Sequence, residues 1–251
     1  MLKPKVSIIT VVYNAKEALE KTINNIRQID YENLEYIIVD GGSTDGTKEV
    51  IEANSLWVTS WISQPDKGLY DAMNKGMRLA TGAYVWFINA GDFVYSPDIL
   101  KNIFAGYENY ADIYYGDTVI LSENGGTKGL RGKKLPKKLT LRSFKMGMVV
   151  CHQSFIVKKS IAPIYNLRYK YAADVDWVME CTRRAKTILN TRFILSKFIE
   201  GGVSSKQRNK SLKERYRIMI TYFGKSRTIY YHMLIALNYF KPKYRKIKKP
   251  Y

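Results

Sequence analysis

A chain of 251 residues with 46% hydrophobic and 25% charged residues can bury a sizeable core, which excludes general disorder. Its two cysteines, Cys151 and Cys181, have no CxxC spacing, which argues against a disulfide framework or a structural zinc site and points to a reducing compartment. The net charge of +19 is uneven: residues 205–251 hold 14 Lys or Arg against one acid, Glu214, so this tail carries +13 and implies a polyanionic partner.

Taken in chain order, MLKPKVSIITVVYN has too short an apolar run for a secretory signal and no small-residue cleavage site after it. Val6–Val12 is a continuous β-branched run, the pattern of a strand buried on both faces of a parallel sheet. After Tyr13 and Asn14 the apolar stripe Ala18, Leu19, Thr22, Ile23 and Ile26 predicts a helix. Residues 36–39 form the second strand, ending at Asp40. The loop 41–47 leads into a helix through Ile51, with Asp45 or Thr47 as its cap. Residues 58–62 make a short strand. Residues 69–80 read as a helix stopped by Gly82, and residues 84–88 as a fourth strand ending at Asn89-Ala90-Gly91-Asp92. Further on, residues 112–121 and 149–158 read as strands, 122–136 as a mobile Gly- and Lys-rich loop, and 174–184 as a helix. Gly201–Ser204 closes the ordered core, and residues 211–223 and 228–240 read as two basic, aromatic-rich helices.

Alternating strands and helices over the first hundred residues predict an α/β, Rossmann-like sheet. Ligands of such sheets bind outside the carboxyl ends of the strands. Asp40, Asp66 and Asp92 each lie just past a strand, so all three can converge on one crevice. A carboxylate at Asp40 can accept from a base N–H. No GxGxxG follows the first strand and no GxxxxGK[ST] occurs, which argues against dinucleotide dehydrogenases and P-loop enzymes.

The segments VSIITVVYNA, IIVDGGSTDGT, QPDKGLYDAMNKG and ATGAYVWFINAGD, in this order, resemble the family 2 glycosyltransferases, inverting enzymes of the GT-A fold that are common in bacterial polysaccharide assembly. A looser likeness runs through CHQSF, YAADVDWVM and FIEGGVS to about Ser204, so the expected layout is a GT-A domain over residues 1–204 and a basic helical appendage over 205–251. The resemblance implies that Val11, Tyr13, Asn14 and Asp40 hold the nucleoside, with Asp66 near the base or ribose. Asn74, Lys75 and Asn89 complete the nucleotide set. Asp92 matches the final acid of the family's metal-binding motif and implies Mg²⁺ or Mn²⁺, although Asn89 and Gly91 stand where many relatives carry acids. A lone Asp can hold such an ion when diphosphate oxygens and waters fill the shell. By the same likeness Asp174 is the base for the acceptor hydroxyl and Asp176 supports the start of its helix; both carboxylates have the chemistry of a base. His152 is the candidate for contact with metal, diphosphate or acceptor, and Trp177 for stacking on an acceptor sugar.

The implied reaction moves a sugar, with a UDP-sugar as the expected donor, to a hydroxyl of a glycan or polyprenyl-diphosphate-linked saccharide. No stretch reaches the roughly 18–20 apolar residues of a membrane span. The tail's basic and aromatic residues suit an anionic membrane surface better than nucleic acid, for which no recognition motif is present. The expected location is therefore cytoplasmic, on the inner face of the cell membrane. Three rivals stand beside this reading. A nucleotidyltransferase lacks its basic phosphate loop. A non-catalytic nucleotide- or glycan-binding descendant is suggested by the thinned acidic motif at Asn89–Asp92. An RNA-binding protein leaves the acidic crevice unexplained.

Overall fold

The computed structural model describes residues 3–105, 110–201, 207–237 and 244–246. Four parallel strands form the first half of the sheet: β1 (Val6–Val12), β2 (Leu34–Asp40), β3 (Ser60–Ser63) and β4 (Tyr84–Phe87), in the spatial order β3-β2-β1-β4. Register aligns their carboxyl ends, pairing Val12 with Asp40 and Asp40 with Ser63. Helices α1 (Lys16–Ile26), α2 (Thr47–Ala53) and α3 (Leu69–Leu79) make the crossovers.

The continuous apolar runs follow from burial on both faces. Ile9, Ile37, Val39, Val85 and Phe87 face one core, shared with α3. Ile8, Tyr36, Ile38, Tyr84 and Trp86, the alternate residues, face the other, shared with α1, α2 and α4 (Ile99–Phe104). Helix α3 approaches closely because residue 76 is Gly: a Cβ there would lie 2.4 Å from Ile9 Cγ2.

The second half is mixed. Strand β8 (Phe155–Lys158) pairs antiparallel with β4 and with β6 (Ile113–Leu121). Residues 149–154, expected to continue that strand, instead include a short 3₁₀ turn at His152–Ser154. The expected mobile loop 122–136 contains strand β7 (Thr127–Arg131), which pairs with β6 and with β10 (Tyr244–Arg245). Its Thr-Lys-Gly-Leu-Arg sequence carries little apolar alternation, because a rim strand buries only Gly129 and Leu130. Among the elements with no expectation are α4, β10, β5 (Phe93–Val94) and the long β9 (Ile188–Ile199), which pairs with β5 and runs parallel to β6.

Helix α5 (Ala173–Arg184) packs on the α3 face, and α6 (Arg208–Phe223) packs on α5. Ile218 and Met219 of α6 are buried, Ile218 in the same core as Val178 and Phe87, so this part of the basic tail is continuous with the domain. Helix α7 (Lys225–Leu237) follows. Gly202–Ser204 and residues 238–240, where the sequence suggested a core boundary and a helix end, lie outside the described residues.

Candidate active site

The carboxyl ends of β1 to β4 bring most of the expected nucleotide residues together. Asp40 is buried, and its carboxylate accepts from the Ser43 N–H at 3.0 Å, from the Ser43 hydroxyl and from the Ser63 hydroxyl at 2.6 Å. These donors hold the side chain in a fixed orientation at the crevice floor. Gly41 then passes so close to the next strand's loop that a Cβ there would lie 2.5 Å from Asp66 Oδ2 and 3.2 Å from the Tyr13 ring. Tyr13, Gly41 and Asp66 thus form one cluster, with Tyr13 64% exposed and open to a stacking partner. Asp66 is steadied by the Gly68 N–H at 2.7 Å.

Asn14 locks this cradle. It sits at φ 44°, a left-handed conformation that Asn tolerates. Its backbone N–H donates to the Ser43 hydroxyl at 2.7 Å and its side-chain amide oxygen accepts from the Thr44 N–H at 2.8 Å. The N-cap of α2 is Gly46 and not Asp45 or Thr47, because only the left-handed φ of 91° there joins the loop to the helix. Asp45, one residue earlier, accepts from the Thr47 N–H at 3.1 Å and from the Lys16 N–H at 3.1 Å, so it ties the starts of α1 and α2.

Three residues expected at the nucleotide have other work. The Val11 side chain is buried in the core and its carbonyl accepts from Ala90 N–H at 3.2 Å, so it shapes the floor from behind. Asn74 is buried and clasps the Tyr165 backbone on both sides, donating to its carbonyl at 2.9 Å and accepting from its N–H at 2.6 Å. A buried amide with two such bonds is a structural tie. The Lys75 ammonium donates to the Pro65 carbonyl at 2.8 Å and braces the Asp66 loop from α3.

Asp92 follows β4 in the turn closed by its own N–H donating to the Asn89 carbonyl at 2.9 Å. Burial pushes its carboxyl up to about 7, against the opposing hydrogen bond from the Gln153 amide at 3.1 Å. Such a carboxylate gains from a cation's charge. The Asn89 side-chain oxygen is buried with no hydrogen-bond partner, an acceptor left over in the same turn. Two hard oxygen donors suit Mg²⁺ or Mn²⁺ completed by diphosphate and water, although no cluster of three acidic, His or Cys ligands exists among the described residues.

His152 is not placed as a metal ligand. Its Nε2 lies 3.0 Å from the Tyr165 hydroxyl, and its ring stacks on Phe87 at 5.4 Å and meets Trp177 edge-on. Burial holds the imidazole down at about 4, against the upward pull of Asp174. The CHQSF segment reaches Asp92 through Gln153, which the sequence reading passed over. Trp177 is likewise closed off: it stacks on Tyr165 at 5.0 Å, donates to the Pro163 carbonyl at 2.7 Å and is 2% exposed.

The two acids of α5 separate, as positions i and i+2 lie about 200° apart on a helix. Asp174 accepts from the Tyr70 hydroxyl of α3 at 3.0 Å and is half-buried. Asp176 faces the opposite way, accepting from the Tyr222 hydroxyl of α6 at 3.2 Å, and burial raises its carboxyl. Asp174 is therefore the acid on the crevice side, and Asp176 joins α5 to the tail. A second tie sits just upstream: the Glu214 carboxylate of α6 accepts from three successive N–H groups, of Lys170 (2.9 Å), Tyr171 (2.7 Å) and Ala172 (2.9 Å). As the one acid in a basic segment, Glu214 was visible in the sequence, but its target was not.

A GT-A sheet with carboxylates at its strand ends and an acid on the facing helix defines the class of sugar-transferring enzymes. The sequence profile of "Glycosyl transferase family 2" matches residues 7–162, more than half of the chain, and the chain belongs to this family of glycosyltransferases. It is similar to the PGL/p-HBAD biosynthesis glycosyltransferase of Mycobacterium tuberculosis, 34% identical over 190 residues covering 72% of this chain and 71% of the relative. A Haemophilus influenzae protein named as an uncharacterized glycosyltransferase is 26% identical over 98% of this chain and its own full length. Among solved structures, S. aureus TarS 1–349 in complex with UDP superposes with a TM-score of 0.67 at 18% identity, covering 93% of this chain and 70% of that one. The mannosyltransferase PcManGT of Pyrobaculum calidifontis, in complex with GDP-Man and Mn²⁺, does so with 0.65 at 15% identity, covering 96% and 72%. These two likenesses establish the fold.

Proposed function

We propose that this glycosyltransferase uses a nucleotide-sugar, with a UDP-sugar as the donor, and transfers the sugar with inversion to a hydroxyl of a glycan or lipid-linked saccharide of the cell surface. The observation that carries this reading is a pair of carboxylates each held by a neutral donor, Asp92 after β4 by the Gln153 amide at 3.1 Å and Asp174 on α5 by the Tyr70 hydroxyl at 3.0 Å.

In this reading Tyr13 stacks on the base, and Asp40 and Asp66 accept from base and ribose. Asp92 and Asn89 hold Mg²⁺ or Mn²⁺ together with the diphosphate. When bound, the cation stabilises negative charge on the leaving diphosphate. Asp174 takes the proton of the acceptor hydroxyl, whose oxygen forms the new bond to the anomeric carbon. The bond from that carbon to the diphosphate breaks, and the nucleoside diphosphate leaves with the electron pair. Direct displacement inverts the anomeric centre. Tyr70, donating to Asp174, keeps the carboxylate aimed.

Helix α7 supports attachment to an anionic membrane face. Ile229, Met233 and Leu237, spaced by four, are 44%, 57% and 77% exposed, beside Tyr230 and basic Lys225 and Arg227. No helix among the described residues is long and apolar enough to cross a membrane. The domain in this reading runs through α6, and α7 is the membrane-facing part.

The test is release of UDP from a panel of UDP-sugars, with and without Mn²⁺, followed by NMR of the product's anomeric configuration. Metal-dependent release giving an inverted product supports the reading. Tight binding of UDP without turnover of any donor would favour a non-catalytic descendant.

A further inference from the structure

Three cationic side chains meet beside the Asp174 helix without an acid among them. Arg131, at the end of β7, donates through Nη2 to the Met148 carbonyl at 2.8 Å, and the Lys133 ammonium donates to the Met146 carbonyl. Both charged heads therefore lie along one short segment. Gly147 at its centre has φ +80°, and a Cβ there would come within 3.3 Å of Lys133 Nζ. Arg215 approaches from α6. Phe144 and Met148, which flank Met146 and Gly147, share one core with Ile218, about one turn past Arg215 on α6, so α6 packs against this segment.

Among the described residues, several donor atoms of this cluster have no acceptor. Arg131 Nη1 and Arg215 Nε are buried N–H donors with no acceptor. Ser211, one helical turn before Arg215 and on the same face of α6, has a buried hydroxyl that is also unpartnered. Three of the four such buried atoms among the described residues thus belong to this cluster. Glu214 cannot neutralise it, because its carboxylate is held by the N–H groups of residues 170–172. Buried charged donors without acceptors are costly and call for a ligand.

The chemistry that fits is a phosphate group, since planar guanidinium forks and a hydroxyl match its oxygens. The cluster also lies near Asp174: Glu214, next to Arg215 on α6, holds the N–H groups of residues 170–172, just before Asp174 in the chain. We infer that Arg131, Lys133, Ser211 and Arg215 form an anion site beside Asp174 that binds a phosphate or diphosphate group of a substrate. The inference rests on the reading of Asp174 as the base. Two sources share this chemistry, the diphosphate of the donor and a phosphate-linked acceptor. The position of Arg215 on α6, beyond the family-matched residues 7–162, favours the acceptor, because it belongs to the part of the chain outside the common family core.

The test is calorimetry of the full chain against inorganic pyrophosphate in EDTA, at about 0.15 M salt to screen diffuse charge. Wild type is expected to bind, and Arg131→Gln/Arg215→Gln to bind at least tenfold more weakly. Lys133→Gln, whose stem is exposed, tests the cluster with little demand on folding and is expected to weaken binding severalfold. Repeating the titration with saturating UDP and with Mn²⁺ in excess over both anions separates the sources: binding that persists assigns the site to the acceptor, and binding that UDP abolishes assigns it to the donor. No pyrophosphate binding by wild type, or unchanged binding by both variants, overturns the inference. UDP affinity, measured alone, reads the nucleotide site independently, so failure of one reading is distinguishable from failure of the other.

Discussion

The nucleotide side of the crevice and its base side are built by different means. On the nucleotide side the carboxylates that follow β2 and β3 are oriented by close neighbours in the chain or on the adjacent strand, Asp40 by Ser43 and Ser63, Asp66 by Gly68 and Asp45 by Thr47. Asp92 alone takes a distant donor, Gln153. On the base side Asp174 is held by Tyr70, 104 residues away, and the approach to its helix by Glu214 from the tail. A site built from local turns tolerates change elsewhere in the chain. One built from long-range ties depends on the docking of α6, so under the proposed function this part of the basic tail supports Asp174.

The largest expected effect separates the two acids of α5. Asp174→Asn should lower transfer by about 100- to 10,000-fold, the usual range for loss of a general base, while UDP affinity stays unchanged. Asp176→Asn, on the face turned to Tyr222, should lose far less, and initial rates with a competent UDP-sugar check both. Next is the tail. Glu214→Gln removes a charged acceptor from three N–H groups and should lower kcat about tenfold, with donor affinity kept and a lower melting temperature. A parallel loss of donor affinity would mean that α6 also supports the nucleotide side, which would erase the contrast.

That contrast also explains what the sequence could show. The four parallel strands announce themselves by continuous apolar runs, and Asp40, Asp66 and Asp92 by their place just after three of them. Asn74 misled because a polar residue in a motif-bearing helix looks functional, yet its amide satisfies the buried backbone of Tyr165. His152 misled in the same way, since its place beside Gln153 is near the site but its ring belongs to the Phe87–Trp177 stack. Tyr70 and Glu214 were hidden because their partners lie far along the chain, and β7 and β9 because their pairing is set by tertiary context more than by alternation.

Smaller effects sharpen the comparison from the nucleotide side. Gln153→Ala removes the donor that orients Asp92 and should weaken Mn²⁺-dependent UDP binding about tenfold, as is common for groups supporting a metal ligand. The smallest effect lies away from the crevice. Burial alone would raise the Glu35 carboxyl, but hydrogen bonds from Ser7, Thr81 and Lys5 outweigh it and hold it at about 2. A carboxyl lowered on folding stabilises the protein above its unfolded value near 4.5, and that contribution fades as pH falls toward 2. Glu35→Gln should therefore cost about 1–2 kcal/mol in denaturant unfolding at pH 7 and visibly less at pH 3, with catalysis unaffected.

The most direct test of a crevice with one carboxylate for the donor and another for the acceptor is calorimetry of UDP with Mn²⁺ on wild type, Asp92→Asn and Asp174→Asn. Metal-dependent binding should be present in wild type, lost in Asp92→Asn and kept in Asp174→Asn. Equal loss in both variants, or full binding by Asp92→Asn, would contradict that division of roles.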